Sequence, residues 1–295
     1  DDLDLVHAEK QQIIKKSGTL EMLSVREKLE DIGGLEKLKP WLKQKAAVMA
    51  DWPAARAFGV EPPKGVMIVG MPGCGKSMTA KATATLFNLP LLKLDMGSLM
   101  GKYVGESEGN MRRALQVAEA VSPCVLWVDE VEKAFVGIGS GGNGSEVATR
   151  LFGYFLTWMQ EKTKQVFVIA TANDISALPP ELLRKGRFDE IFYVDFPKEA
   201  ERMEIFRVHL ERRKKMNARI QLDRLAKATN HYSGADIESI VKEAIEQAFL
   251  DDRVPLDTER LLNIVKATHP LGEVMKDKVQ DYKKRFESMK IKEAS

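Results

Sequence analysis

The stretch Gly65-Val66-Met67-Ile68-Val69-Gly70-Met71-Pro72-Gly73-Cys74-Gly75-Lys76-Ser77-Met78 reads as a buried strand that runs out into a glycine turn and then into a helix. The run 65–69 is short, apolar and partly β-branched, and Met78-Thr79-Ala80-Lys81-Ala82 continues at helical composition. Gly70 to Ser77 spells Gly-x-x-x-x-Gly-Lys-Ser, which aims backbone N–H groups and a helix N-terminus at one point and so cradles phosphate. In that arrangement Lys76 reaches the β- and γ-phosphates and the Ser77 hydroxyl holds Mg²⁺. Pro72, Gly73, Cys74, Gly75 and Met78 complete the cradle. An ordinary glycine-rich turn is the plainer reading, and the strand before and helix after it argue against that.

Hydrolysis needs more than a phosphate loop: a held Mg²⁺, an oriented water and compensation of charge on the transferring phosphoryl group. Val125-Leu126-Trp127-Val128-Asp129-Glu130 ends a second apolar strand in two acids, at the strand end where ligands bind in such sheets. Asp129 is assigned to the Mg²⁺ shell and Glu130 to polarising the attacking water. The next strand ends at Thr171-Ala172-Asn173, where the Asn173 amide is either a water-positioning group or a turn residue. Arg184 and Arg187 flank Gly186; two arginines there are either a solvated face or charge delivered to a neighbouring subunit's phosphate.

Composition sets the outer bounds. The 295 residues suffice for a large core and two domains, with 44% hydrophobic and 30% charged residues as in globular proteins. A net charge of +2 gives bulk electrostatics no preference for nucleic acid or an anionic membrane, and Arg212-Arg213-Lys214-Lys215 reads as solvated helix-end charge. No run reaches the roughly 18 apolar residues of a membrane span. Cys74 and Cys124 make no disulfide framework and read as reduced thiols, Cys74 being a small bystander rather than a redox switch. His7, His209, His231 and His269 lack metal-ligand spacing. A start at Asp1 without Met reads as a fragment or a processed chain. GTP is disfavoured because no Asn-Lys-x-Asp segment is present.

Along the chain, residues 1–25 read as a polar linker with a helical set of Ile13, Ile14, Leu20 and Leu23. Five strands are expected: 65–69, 89–95, 124–129, 166–170 and 191–195, alternating with amphipathic helices as in a parallel sheet covered on both faces. The segment 137–144 is a Gly/Ser loop, and after Pro197 the pattern turns helical over 198–211, 222–229, 234–250 and 257–267. The domains are therefore drawn as linker 1–25, nucleotide-binding αβα domain 26–197, helical lid 198–268 and a charged tail 269–295 with a period in Val274, Val279 and Tyr282.

The phosphate loop, Asp129-Glu130, Asn173 and the Arg184/Arg187 pair, in this order, resemble the AAA family within the AAA+ ATPases. CVLWVDEVEKAF, TWMQEK, VIATANDISALPPELLRKGRFDEIF and KYVGESE resemble the ycf-type AAA ATPases of cyanobacteria and chloroplasts. The resemblance implies an α/β fold, a five-stranded parallel αβα sandwich followed by a small all-helical lid, with ATP and Mg²⁺ as cofactors and a homo-hexameric ring as the working form. It implies that Asp31, Ile32 and Gly33 line the adenine pocket, with Ile205, His209, Gly234 and Ala235 facing the nucleotide from the lid. Ala235 stands where many AAA+ groups carry a lid arginine, which throws more weight on Arg184 and Arg187 from the neighbour. Tyr103-Val104-Gly105 matches the pore step of protein-threading members, although Tyr103 also reads as a packing residue. The implied function is an oligomeric ATPase that remodels protein substrates, in the cytoplasm or, if plastid-encoded, the chloroplast stroma, with no specific nucleic acid. The alternative is a nucleotide-dependent switch or scaffold that threads nothing.

Overall fold

Leu20–Leu23 (β1), Gly65–Gly70 (β2), Leu91–Asp95 (β3), Cys124–Asp129 (β4), Val166–Ala172 (β5), Glu190–Val194 (β6) and Lys292–Glu293 (β7) form one sheet in the order β1-β3-β4-β5-β2-β6-β7. The helices that matter below are α1 (Leu38–Ala50), α2 (Lys76–Phe87), α3 (Glu106–Val121), α4 (Gly144–Glu161), α5 (Glu199–Arg212), α6 (Leu222–Ala228), α7 (Gly234–Leu250), α8 (Thr258–Ala267) and α9 (Lys276–Met289). This is a computed structural model, which describes residues 12, 14, 18–96, 99, 106–135, 144–184 and 186–295. The pore-step residues Tyr103 and Val104, and loop residues 137–143, lie outside the described residues.

β3, β4, β5 and β2 run parallel, with Leu92 opposite Leu126, Leu126 opposite Val168, and Val66 opposite Ile169. Every residue of β2 and β5 is buried, which is why both read as unbroken apolar runs rather than as alternation. Through β5, Val128 stands level with Met67, since both pair with Ala170, and β2 runs two residues further, to Val69 opposite Ala172.

The sheet extends past the five expected strands at both edges. β1 pairs antiparallel with β3, Leu20 opposite Leu94 and Leu23 opposite Leu91, so the helical reading of Leu20 and Leu23 is corrected. β1 has four residues with only Leu20 buried, and β7 has two, too few for a readable period. Short edge strands of this kind also present little unpaired backbone to other chains.

The described residues form two compact units. One takes in the chain up to Glu27, then Pro40–Val69 and Ala80–Phe192. Its centre is aromatic: the Phe167 ring lies 4.9 Å from that of Phe87 and 6.4 Å from that of Trp41, which meets Phe192 at 5.7 Å. Met111, Leu115 and Ala118 of α3, and Leu151, Phe155 and Met159 of α4, are buried at helical spacing.

The other unit comprises Lys28–Lys39, Gly70–Thr79 and Tyr193–Ser295. Phe206, Leu210, Leu225, Ile237, Ile240, Val241 and Leu261 fill its helical core. Arg202 is buried there with its charge spread over backbone, donating to Ala226 O through Nε and Nη2 and to Pro197 O through Nη1. The tail departs from its sequence reading: Val274 is 76% exposed, while Tyr282 and Phe286 are buried. Phe286 stacks on Tyr193 at 3.8 Å, and Ala294 N–H donates to Tyr193 O.

One buried cation gives the first unit a pH signature. Lys162 is 8% exposed, its Nζ within 3.5 Å of Pro63 O, and burial pulls its pKa down to about 8 despite the nearby Asp189. Above that value the native ammonium has shed its proton, whereas the unfolded chain keeps it to about 10.4. The unfolded state then binds more protons, so stability rises with pH across that window and is lost again as pH falls. Urea midpoints measured from pH 7 to pH 10 should climb in the wild type and stay flatter in Lys162→Met; parallel slopes would refute the assignment.

Candidate functional site

Backbone constraint builds the phosphate loop. Gly70 has φ 150°, and a Cβ there would overlap Val194 O, so β2 can end only in glycine; Met71 N–H donates to that same carbonyl at 2.9 Å. Gly73 (φ 73°) turns the chain into α2, whose first turn closes with Thr79 N–H on Gly75 O at 2.8 Å. Lys76 is buried and folded back, its ammonium donating to Gly70 O at 2.8 Å and Met71 O at 2.6 Å. Ser77, the next residue, is exposed.

The same loop is tied to the start of α7. Ala235 N–H donates to Gly73 O at 2.9 Å, and a Cβ on Gly73 would stand 2.9 Å from Ser233 Oγ. Ser233 caps α7 reciprocally with Asp236: Ser233 Oγ accepts from Asp236 N at 3.1 Å, and the Asp236 carboxylate accepts from Ser233 N at 2.8 Å. Two helix N-termini, those of α2 and α7, thus flank Gly73. Gly234 and Ala235 are brought to the phosphate loop; the sequence did not single out Ser233 and Asp236, although Ser-x-x-Asp before an apolar run is a readable cap.

The segment Asp31-Ile32-Gly33 splits in role. Ile32 is buried, with Cγ2 3.6 Å from where a Cβ on Gly75 would stand, and Gly33 packs so closely on Ile205 that a side chain there would collide with it. Asp31 instead accepts from Lys28 N–H at 2.8 Å, closing its own turn. Gly34 N–H donates to Glu204 at 3.0 Å and Leu35 N–H to Glu201 at 3.4 Å, so two acids of α5 that the sequence reading passed over hold this segment. His209 is buried and its pKa is lowered by that burial, which keeps the imidazole neutral at pH 7. Arg213 Nη1 donates to Nδ1 at 3.1 Å, which leaves the imidazole proton on Nε2.

In the first unit the acids share a hydroxyl hub. Thr171 Oγ1 donates to Asp129 at 2.8 Å and accepts from Trp127 Nε1 at 3.3 Å and Glu130 N at 3.4 Å. Lys93 Nζ pairs with the other Asp129 oxygen at 3.1 Å, over the Trp127 ring. Glu130 sits at φ 49°, a left-handed conformation uncommon for this residue type. Its carboxylate pairs with Lys133 and accepts from Asn173 Nδ2 at 3.4 Å, while Asn173 N–H donates to Glu132 at 2.9 Å. Asp129, Glu130 and Asn173 are therefore brought together. Thr171 and Lys93 went unread because nothing in a strand residue's type announces its partners across the sheet; Lys133, in the 3-10 turn Val131–Phe135, pairs with Glu130 three residues back.

Arg184 is exposed; Arg187 is half-buried, and its Nε has no hydrogen-bond acceptor among the described residues. Among the described residues neither pairs with Asp129 or Glu130. Their segment is pinned by Asp189, which accepts from Lys64 N at 2.9 Å and Gly65 N at 3.1 Å, and by Lys64 Nζ on Gly186 O at 3.0 Å. Among the described residues no three His, Cys, Asp or Glu side chains gather as a metal cage. The Ser77 hydroxyl and Asp129 carboxylate are hard oxygen donors of the kind Mg²⁺ uses when nucleotide phosphates complete its shell.

A strand-borne phosphate loop with a helix-capped lid, together with paired acids at the end of another strand of the same sheet, defines a P-loop nucleotide-binding protein. The family comparison gives the class its name: residues 66–196 match the model for the ATPase family associated with various cellular activities (AAA), and residues 219–262 match the AAA+ lid domain. The chain belongs to the AAA family. It is 45% identical over 294 residues to the AAA domain-containing protein ycf46 of Guillardia theta, covering 99% of this chain and 57% of that one. The ycf46 protein of Pyropia yezoensis is 43% identical over 279 residues, 94% of this chain and 56% of that one. The Cell division cycle protein 48 homolog of Archaeoglobus fulgidus is 38% identical over 220 residues, 74% of this chain and 30% of that one. The chain thus spans little more than half the length of its ycf46 relatives. No described helix is long and apolar enough to cross a membrane.

The loop cysteine tests its local chemistry. Burial drives the Cys74 thiol up to about 12, the Lys76 charge offsetting only part of it, and Sγ contacts Pro72 O at 3.6 Å. At pH 8 the thiol stays protonated, so iodoacetamide should label native Cys74 far more slowly than the unfolded chain does, by about a hundredfold or more. Equal rates, followed by peptide mass analysis, would show that the loop leaves the sulfur open.

Proposed function

We propose that this chain binds ATP at the Gly70–Met78 loop and hydrolyses it in an assembly of identical chains. One observation carries the reading: the Lys76 ammonium is buried inside its own glycine loop, where two helix N-termini converge around Gly73. Buried positive charge beside helix N-termini fits a polyphosphate. Lys76 moves from the carbonyls of Gly70 and Met71 onto the β- and γ-phosphates, and Pro72, Gly73, Cys74 and Gly75 wrap them in backbone N–H groups. Ile32, Gly33, Ile205 and neutral His209 form the apolar and hydrogen-bonding surround of the base and ribose, and Asp31 contributes its turn rather than its charge.

Mg²⁺, held by Ser77 and Asp129, neutralises charge on the phosphates when bound. Glu130 accepts the proton of the attacking water, and Asn173 orients it. For Glu130 to do so, its carboxylate leaves the Lys133 pair seen here. Arg184, and Arg187 with its idle Nε, serve the γ-phosphate of a neighbouring copy, in a ring taken to be a hexamer. The work done with that energy is remodelling of protein substrates, with Tyr103 and Val104 as the pore step. In that reading the chain acts in the cytoplasm, or in the stroma where it is plastid-encoded.

Steady-state ATPase rates against protein concentration test this. Glu130→Gln should bind nucleotide with near-unchanged affinity and lose about 10²–10⁴ in kcat. Arg184→Ala should lose about 10³ or more and flatten the concentration dependence. Mixing the two variants should restore part of the rate, since each supplies what the other lacks; no recovery would mean that the site is not shared. If Tyr103→Ala keeps hydrolysis and ends substrate processing, the remodelling reading stands over the switch.

A further inference from the structure

The run Asp31-Ile32-Gly33-Gly34-Leu35 carries backbone N–H groups in unbroken succession, and all but one have acceptors. Asp31 N–H donates to Lys28 O at 3.0 Å and Ile32 N–H to Leu29 O at 3.2 Å, closing a 3-10 turn. Gly34 N–H donates to Glu204 Oε2 at 3.0 Å and Leu35 N–H to Glu201 Oε1 at 3.4 Å. Gly33 lies between these pairs, half-buried, and its N–H has no acceptor among the described residues. Glu201 is itself held, its other oxygen accepting from Lys198 N at 2.8 Å and its first from Ser295 Oγ. A Cβ on Gly34, at φ 75°, would collide with the Glu201 carboxylate, so only glycine brings the chain this close to α5. The same run borders the phosphate loop: Ile32 Cγ2 lies 3.6 Å from the Cβ position of Gly75, and Ile205 Cδ1 lies 3.9 Å from that of Gly234.

We propose that Glu201 and Glu204 are positioning residues for base selection: by taking the N–H groups of Leu35 and Gly34, they leave Gly33 N–H to read the edge of the purine. The inference rests on the ATP site proposed above and adds what chooses the base there. Adenine N1 is a bare acceptor, whereas guanine carries a proton on N1. A fixed N–H donor therefore meets adenine with a hydrogen bond and guanine with a second donor. Such a donor discriminates only while it cannot move, and a glycine pair is the least restrained backbone there is. Two charge-assisted hydrogen bonds to consecutive N–H groups supply the restraint from α5. Neither acid touches the nucleotide; both act through the backbone. Glu204→Ala leaves the N–H of buried Gly34 without its acceptor and frees the segment to shift. Glu204→Gln keeps an amide oxygen that accepts in the same place.

Three probes, each with Mg²⁺, separate this role from a merely structural one: ATP, its 1-deaza analogue with C–H in place of N1, and inorganic tripolyphosphate. The wild type should bind the deaza analogue about ten- to a hundredfold more weakly than ATP. Glu204→Ala should bind ATP more weakly by about that factor and no longer tell it from the analogue, while tripolyphosphate binding stays within about threefold. Retained tripolyphosphate binding also shows that the variant keeps its phosphate loop folded. In turnover the loss should fall on KM, with kcat at saturating ATP within about threefold of the wild type. Glu204→Gln should discriminate as the wild type does, and Glu201→Ala should follow Glu204→Ala in direction. The proposal fails if the wild type binds ATP and the analogue alike, a result that needs no variant to fold and leaves the ATPase reading standing. It fails too if Glu204→Ala still tells the two apart, if it loses tripolyphosphate as steeply as ATP, or if Glu204→Gln does not rescue. A wild type that binds neither ATP nor tripolyphosphate overturns the ATPase reading itself, and base selection falls with it.

Discussion

An ammonium group is expensive to take out of water, and Lys76 is buried inside the loop that carries it. The site follows from how that charge is kept. The carbonyls of Gly70 and Met71 can turn toward Nζ because the chain leaves β2 through a glycine at φ 150°, in a space where any Cβ would strike Val194 O. Carbonyl dipoles stabilise a buried cation less well than an opposite charge does, and in the function proposed above a polyphosphate takes their place. The Gly73–Ala235 hydrogen bond ties the start of α7 to that same loop. Remove the glycines and the lysine has nowhere to fold.

The acids obey a different economy. Asp129 and Glu130 are adjacent, and two carboxylates so close repel unless each has its own cation or donor. Asp129 has Lys93 and the Thr171 hydroxyl; Glu130 has Lys133 and the Asn173 amide. Sending neighbouring side chains to separate partners requires a turn in the backbone between them, and Glu130 makes it by adopting φ 49°. Strain of this kind costs about 1–3 kcal/mol and persists where surrounding structure over-determines it. Here the over-determination is visible: Glu130 N–H is fixed on Thr171, and Asn173 N–H on Glu132.

Much of this was legible in the sequence, and the boundary of legibility is physical. Gly70 to Ser77 and the run ending in Asp129-Glu130 are local patterns: a buried strand forbids polar residues, a phosphate loop demands glycines, and both demands fall on consecutive positions. The four lid helices are legible for the same reason, since helical periodicity is a property of one segment. Long-range pairings leave no such trace. Glu201 and Glu204 look like ordinary helix-surface acids until their hydrogen bonds to Leu35 and Gly34 are seen. Asp189 looks like a turn residue beside two arginines, yet it fixes the start of β2. β1 and β7 are too short to carry a period, and the tail's apparent stripe misled: Val274 fits it and faces solvent, while Phe286, unremarked, stacks on Tyr193.

Taken together, the buried Lys76 and the exposed Phe58 lie at opposite extremes of the same accounting. A charge placed where water is scarce and an aromatic ring placed where water is abundant are each unfavourable as they stand. In the function proposed above, a polyphosphate recovers the first of these costs. Anything that binds the folded chain there and not the unfolded one adds to its stability. If arginines from one copy complete the phosphate site of the next, the way two copies meet also sets how far Arg184 and Arg187 stand from that phosphate. Assembly and hydrolysis would then share one free energy, because any preference of the nucleotide for the assembled form must appear equally as a preference of the assembly for the nucleotide.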